Sequence, residues 1–249
     1  MDYFNCIMEI GEQMLISGAE VHRVEESIRR MAEAFGAQRV DVFIITSSMV
    51  VTVHSAEGES HTQTRRITAT GTDYEKLHKL NDLSREICEK HLSLEEITEK
   101  LNNSYKSKKF PAILELICYA LIAGAFTIFF GGNLKEAAIS LGIGFCVRLL
   151  VFLSEKIIKN NIFLKFFSMV IVTFLAFLSV KIGILDNADE VIIGNVMPLI
   201  PGVGFTNALR DLFTGDSIAA VLRFIEAILT AVSIAAGYFL VTVFGGYIL

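Results

Sequence analysis

PAILELICYALIAGAFTIFF, residues 111–130, carries a single charge, Glu115, in twenty positions. A helix rising 1.5 Å per residue needs roughly 20 apolar residues to cross the ~30 Å hydrocarbon core of a bilayer, and this stretch supplies them. Pro111 sits at a tolerated helix start, and Gly131-Gly132-Asn133 closes the run. Four further apolar segments follow, at about 134–153, 162–182, 191–205 and 218–244. The polar stretch 154–161 ends the second segment, and the acidic cluster Asp186, Asp189 and Glu190 follows the third. The segment at 191–205 is too short to span by itself. Its amphipathic continuation, 206–216, either completes the crossing or lies along the interface.

Upstream the composition changes. Of the 49 charged residues, 32 lie in residues 1–110, although the whole chain is 53% hydrophobic with a mean hydropathy of +0.53. The expected fold is therefore an α+β cytoplasmic head, 1–105, a basic linker, 106–110, and a polytopic α-helical membrane domain of about five transmembrane helices, 111–249. A net charge of −5 argues against a nucleic-acid binder. Cys6, Cys88, Cys118 and Cys146 form no C-x-x-C pair and read as small buried hydrophobes, not a disulfide framework. Met1-Asp2-Tyr3 lacks a basic n-region, and Glu9 and Glu12 interrupt any apolar run, so no signal peptide is expected.

Basic residues orient the spans. Lys106, Lys108 and Lys109 precede the first, Lys156, Lys159 and Lys165 surround the second link, and Arg210 lies before the last span. Lys135 and Lys181 are left for the opposite side. An odd number of spans then places the head in the cytoplasm and the C-terminus outside, in a bacterial inner membrane. Glu115, Arg148, Lys165 and Arg223 fall near cytoplasmic span ends, where long side chains snorkel. Glu226 lies nine residues past Ser217, about 14 Å into the last span. Arg223, three residues earlier, is its expected partner, as a structural pair or as part of a substrate or proton site.

GNVMPLIPGVGFTNALRD, residues 194–211, is the most unusual stretch. Pro198 and Pro201 each remove a backbone donor, and Gly202 and Gly204 permit angles that other residues resist. A packing kink is the plain reading. A broken helix lining a polar path is the functional one, with Asn195, Thr206, Arg210 and Asp211 as flanking polar groups.

In the head, residues 2–35 show helical periodicity interrupted at Ser17-Gly18-Ala19-Glu20, whose spacing predicts a capping box for a second helix; Gly36 is the expected stop. Alternating Val40, Val42, Ile44, then Val51 and Val53, a turn at Ala56-Glu57-Gly58-Glu59, and 61–68 predict three strands. Residues 73–90 and 93–102 return to helix, Ser93 and Glu96 forming another capping box. His22, His54, His61, His78 and His91 show no metal-ligand spacing, Glu25, Glu26, Arg29 and Arg30 read as a solvated face, and no nucleophile elbow, P-loop or dinucleotide fingerprint occurs.

Ser17-Gly18-Ala19-Glu20-Val21-His22-Arg23-Val24-Glu25, Lys79-Leu80-Asn81-Asp82-Leu83-Ser84-Arg85, and Met197-Pro198-Leu199-Ile200-Pro201-Gly202 with Arg210-Asp211 resemble the bacterial threonine/serine exporter (ThrE) family over nearly the whole chain. That resemblance implies a transporter rather than an enzyme, in which the head and five spans work with a second multi-span unit. The unit is either fused or separate, as in the YjjP/YjjB-type system linked to succinate export. The chain ends after its fifth span and so looks like the split form, its partner a YjjB-like subunit or another copy of itself. The expected function is a half-transporter exporting a small polar zwitterion or carboxylate. Residues 198–204 would form the broken element, Arg210 would attract a carboxylate, and Glu226 would carry a proton or pair with a substrate amine; Arg223 and Asp211 belong to the same path. No cofactor is expected beyond an ion gradient, the proton gradient first. Two other readings stand beside it: a membrane-anchored sensory or regulatory protein whose head binds a ligand or partner, and a head with hydrolase activity.

Overall fold

The computed structural model describes residues 2–68, 71–90, 92–106, 110–155, 158 and 160–245. His91, Lys108, Lys109, Lys156 and Lys159, and most of the expected 106–110 linker, lie outside them. The chain divides into two compact units: Met1–Lys108 with Val203–Phe224, and Lys109–Gly202 with Ile225–Leu249. Residues 203–224 pack with the N-terminal residues.

The first unit opens with α1 (Tyr3–Ile16) and α2 (Val21–Ala34). Asp2 caps α1 by accepting the Asn5 N–H at 2.7 Å. Ser17 does not start the next helix. It is the C-cap of α1, and Gly18 turns the chain with φ +93°, where a Cβ would lie 2.8 Å from the Gly71 carbonyl oxygen. The expected Ser17/Glu20 capping box is thus absent: Glu20 occupies the N-cap of α2 and makes no side-chain cap bond. Gly36 ends α2 with φ +89°, as expected.

Strands β1 (Arg39–Ile45), β2 (Ser48–His54) and β3 (Ser60–Arg66) form an antiparallel sheet in the order β1-β2-β3. The register sets Val40 opposite Val53, Val42 opposite Val51 and Ile44 opposite Met49, so one face is apolar. Gly58, at φ +85°, makes the β2–β3 turn. Helices α3 (Tyr74–Lys90) and α4 (Leu94–Ser104) follow, and the Ser93/Glu96 capping box is present. Met8, Met14, Val24, Ile28, Met31, Met49, Leu80, Ile87 and Ile97 fill one core, joined by Ala219. At Gly11 an added Cβ would come within 2.7 Å of the Ile28 side chain, so Ile28 of α2 packs directly on the α1 backbone.

The second unit holds α5 (Ala112–Phe129), α6 (Leu134–Ser154), α7 (Asn161–Lys181), α8 (Asp189–Val196) and most of α10 (Ser217–Gly245). A 3₁₀ turn, Met197–Leu199, continues α8, and α9 (Gly202–Thr214) begins beyond Pro201. Among the described residues, four helices are long and apolar enough to cross a bilayer, or five if the broken pair Asp189–Leu199 and Gly202–Thr214 counts as one. Small residues let α5, α6 and α8 approach closely: a Cβ on Gly144 would lie 3.0 Å from Ala123, and one on Gly194 only 2.6 Å from the Ala123 oxygen. Lipid tails are as apolar as leucine, so such van der Waals contact, not hydrophobic exclusion, holds helices together there.

Candidate functional site

The break in the fourth segment has a local cause. Proline disfavours helical angles at the residue before it. Ile200, preceding Pro201, is extended at φ −63°, ψ 132°. Pro198 lies inside the 3₁₀ turn, where its missing donor costs little. The turn leaves terminal carbonyls in need of donors. Met197 O takes the Ile200 N–H at 3.3 Å, and Leu199 O takes the Lys165 ammonium of α7 at 2.7 Å. Lys165 is therefore a cation at a helix C-terminus, favourable to the dipole, and not simply a snorkelling side chain. Beside the break lies a hollow of about 500 Å³, walled by Met169, Ile192, Val196, Ile234 and Ala235, with Asp189 and Tyr238 as its polar members.

Asn195 lies one turn before the break and is fully buried. Its amide donates to Ser140 Oγ at 2.8 Å and to the Val191 carbonyl at 2.9 Å; Ser140 in turn meets Thr127 Oγ1 at 2.7 Å. Asn195 Oδ1 has no hydrogen-bond partner among the described residues. This polar triad ties α5, α6 and α8 together. Sequence reasoning picked out Asn195 and missed Thr127 and Ser140, although both stand on small-residue stripes that mark a close helix contact. Gly202 and Gly204 do not use their conformational freedom. Both lie in α9, and neither has a positive φ.

Thr206, Arg210, Asp211 and Arg223 belong to the first unit, where α9 and the start of α10 meet residues 18–21, whereas Glu226 falls in the second. Asp211 is fully buried; its Oδ1 accepts the Val21 N–H at 3.4 Å, and its Oδ2 lies 3.1 Å from Arg223 Nε. Val21 opens α2, whose own N-cap is bare, so a carboxylate 190 residues away satisfies an orphan donor at the positive end of the helix dipole. Arg223 Nη2 also donates to the Ala19 carbonyl at 3.0 Å. Arg210 Nη1 donates to Glu20 at 2.6 Å, and Asn207 reaches the Gly18 carbonyl at 3.5 Å. Thr206 stands on the exposed part of α9.

One expectation is corrected. Arg223 pairs with Asp211, not with Glu226, because the buried carboxylate and the Ala19 carbonyl occupy its fork. Glu226 is exposed, with no cation in ion-pair range among the described residues. Arg210, on the exposed face of α9, pairs with Glu20. Arg148 likewise does more than snorkel: it bridges Glu115 at 2.6 Å and Glu155 at 2.8 Å. Among the described residues no group of three or more His, Cys, Asp or Glu is gathered as metal ligands are.

The family model described as "Putative threonine/serine exporter" (ThrE) matches residues 5–245. Over 94% of its length the chain is 24% identical to the threonine/serine exporter of Corynebacterium glutamicum, covering 49% of that protein. It is 22% identical to pheromone-regulated membrane protein 10 of Kluyveromyces lactis, over 97% of this chain and 26% of that one. The counterpart from Eremothecium gossypii is 21% identical, with 97% and 33% covered. The chain thus spans between about a quarter and a half of the length of these curated relatives. No solved structure matches it.

Proposed function

The chain belongs to the threonine/serine exporter family, and on that premise we propose that this multi-pass membrane protein is a half-transporter subunit of a secondary exporter. Its cargo is threonine, serine or a small carboxylate. It works with a second multi-span unit, a YjjB-like subunit or another copy, in a bacterial inner membrane. The head faces the cytoplasm and the C-terminus faces out, in keeping with the basic residues before the first span and around the second link. The proton gradient drives export, and Glu226 carries the proton.

One observation carries the reading: a proline-broken helix whose freed Leu199 carbonyl is held by a lysine, next to a hollow of about 500 Å³. Irregular backbone at membrane depth persists only where protein buries it or a polar cavity receives it, and broken helices of this kind form transporter binding sites. The walls of the hollow are mostly apolar, so the polar path needs a second unit to complete it. The exposed Glu226 carboxylate supports the same point. Facing lipid, a charge there would cost about 2.5–3.5 kcal/mol on insertion scales, a cost a neighbouring polar unit removes.

Efflux from cells loaded with threonine or succinate, with the second unit co-produced, tests the proposal. Lys165→Met and Glu226→Gln are each expected to slow efflux at least tenfold at unchanged abundance in the membrane. Wild-type efflux in both variants would overturn it.

A further inference from the structure

The stretches singled out in the sequence for their resemblance, other than the proline-broken one, meet in the first unit around a hollow of about 190 Å³. Glu20 and Arg23 reach it from the start of α2, Tyr74 and Asn81 from α3, Asn207 and Arg210 from α9. Its charges do not cancel. The Glu20 carboxylate is contacted by two guanidinium groups, Arg210 at 2.6 Å and Arg23 at 3.6 Å. One positive charge is therefore in excess. The side chains of Arg23 and Arg210 are 65% and 59% exposed, so both remain open to a ligand from solvent. Asn81, which faces the hollow, has no side-chain hydrogen bond to another described residue, so its amide can both donate and accept. A hollow of about 190 Å³ suits a small ligand.

We infer that this hollow binds a small α-amino acid. Its carboxylate takes the excess charge of Arg23 and Arg210, whose planar forks match a carboxylate. Its ammonium faces Glu20, and its side chain lies toward Asn81 and Tyr74. The arrangement discriminates against dicarboxylates, because a second carboxylate would meet Glu20. Asp211 and Arg223, paired with each other one turn away, set the geometry by pinning residues 19–21 to α9 and α10. The inference deepens the exporter reading and rests on it for the choice of amino acid.

The test is equilibrium binding of L-threonine, succinate and inorganic phosphate to the purified full chain in detergent, beside efflux from loaded cells. Threonine is expected to bind saturably and at least tenfold more tightly than succinate or phosphate. Arg23→Gln, at an exposed position that leaves folding intact, is expected to weaken threonine binding tenfold or more. Asn81→Ala should weaken it severalfold and Arg23→Lys less than Arg23→Gln. No saturable threonine binding, succinate or phosphate binding as tightly as threonine, or an Arg23→Gln affinity within twofold of wild type would overturn the inference. Efflux without such binding would sink this site and leave the exporter reading standing. Binding that needs Arg23 in a chain that exports nothing would do the reverse.

Discussion

Replacing Asp211 by alanine is expected to be among the most damaging single changes in the first unit. The carboxylate is fully buried and serves two partners, the Val21 N–H and the Arg223 guanidinium, whose side chain is only 14% exposed. Losing an N-terminal cap costs about 1 kcal/mol. Stranding one member of a buried ion pair costs about 3–5 kcal/mol. Arg223 keeps the Ala19 carbonyl and some solvent, and one carboxylate serves both roles, so the lower end applies: about 3 kcal/mol, or roughly 10 °C in Tm for a unit of this size. Asp211→Asn keeps an acceptor for Val21 and is expected to lose about half as much. Asp211→Leu combined with Arg223→Met removes both charges and is expected to recover most of the loss, since apolar replacements of buried pairs are often neutral. Thermal unfolding of the full chain in mild detergent, with protease resistance of residues 2–68 as a second probe, reads all of these. A Tm for Asp211→Ala within about 2 °C of wild type, or strictly additive losses in the double variant, would refute the reasoning.

Gly194→Ala would place a Cβ 2.1 Å from Thr127 Oγ1 and 2.6 Å from the Ala123 oxygen, so α5 and α8 must separate. Overpacking of this kind costs about 1–3 kcal/mol or more, and monodisperse yield on size-exclusion chromatography is expected to collapse, whereas Gly142→Ala, with open space around its Cβ, leaves it unchanged. The Glu96 carboxyl is held below the ordinary glutamate range, first by the Ser93 N–H at 2.9 Å and then by the Ser93 hydroxyl at 2.8 Å. A depressed folded pKa means that its stabilisation of α4 is complete above about pH 4.3 and lost as the pH falls through the lower folded value. Amide exchange in α4 of the wild-type chain is expected to rise over that acid window and to be flat there in Glu96→Gln.

Much of the fold was legible because its signals are local. Apolar runs of spanning length at 111–130, 134–153 and 162–182 lie over α5, α6 and α7. The alternation of Val40, Val42 and Ile44 made a strand, and Pro201 broke the fourth segment through its effect on Ile200. Local spacing misled where a distant group won. Ser17 and Glu20 have capping-box spacing, yet Asp211 takes the Val21 N–H. Arg223 and Glu226 share a helix face, yet Arg223 turns to Asp211 because burial makes an unpaired carboxylate there far more costly than an unpaired Glu226 at an exposed position.

The amino-acid sequence alone showed which segments are apolar enough for lipid, where the strands and helices of residues 2–104 run, and that two prolines interrupt the fourth segment. These follow from side-chain transfer energy and backbone sterics acting over a few residues. Only the tertiary structure decided that 203–224 belongs with the N-terminal residues, that Lys165 serves the broken end, and that Glu20, Arg23, Asn81 and Arg210 surround one hollow. These join groups up to 204 positions apart. No periodicity encodes such pairings; buried charge, orphan backbone donors and shape select them once the chain has folded.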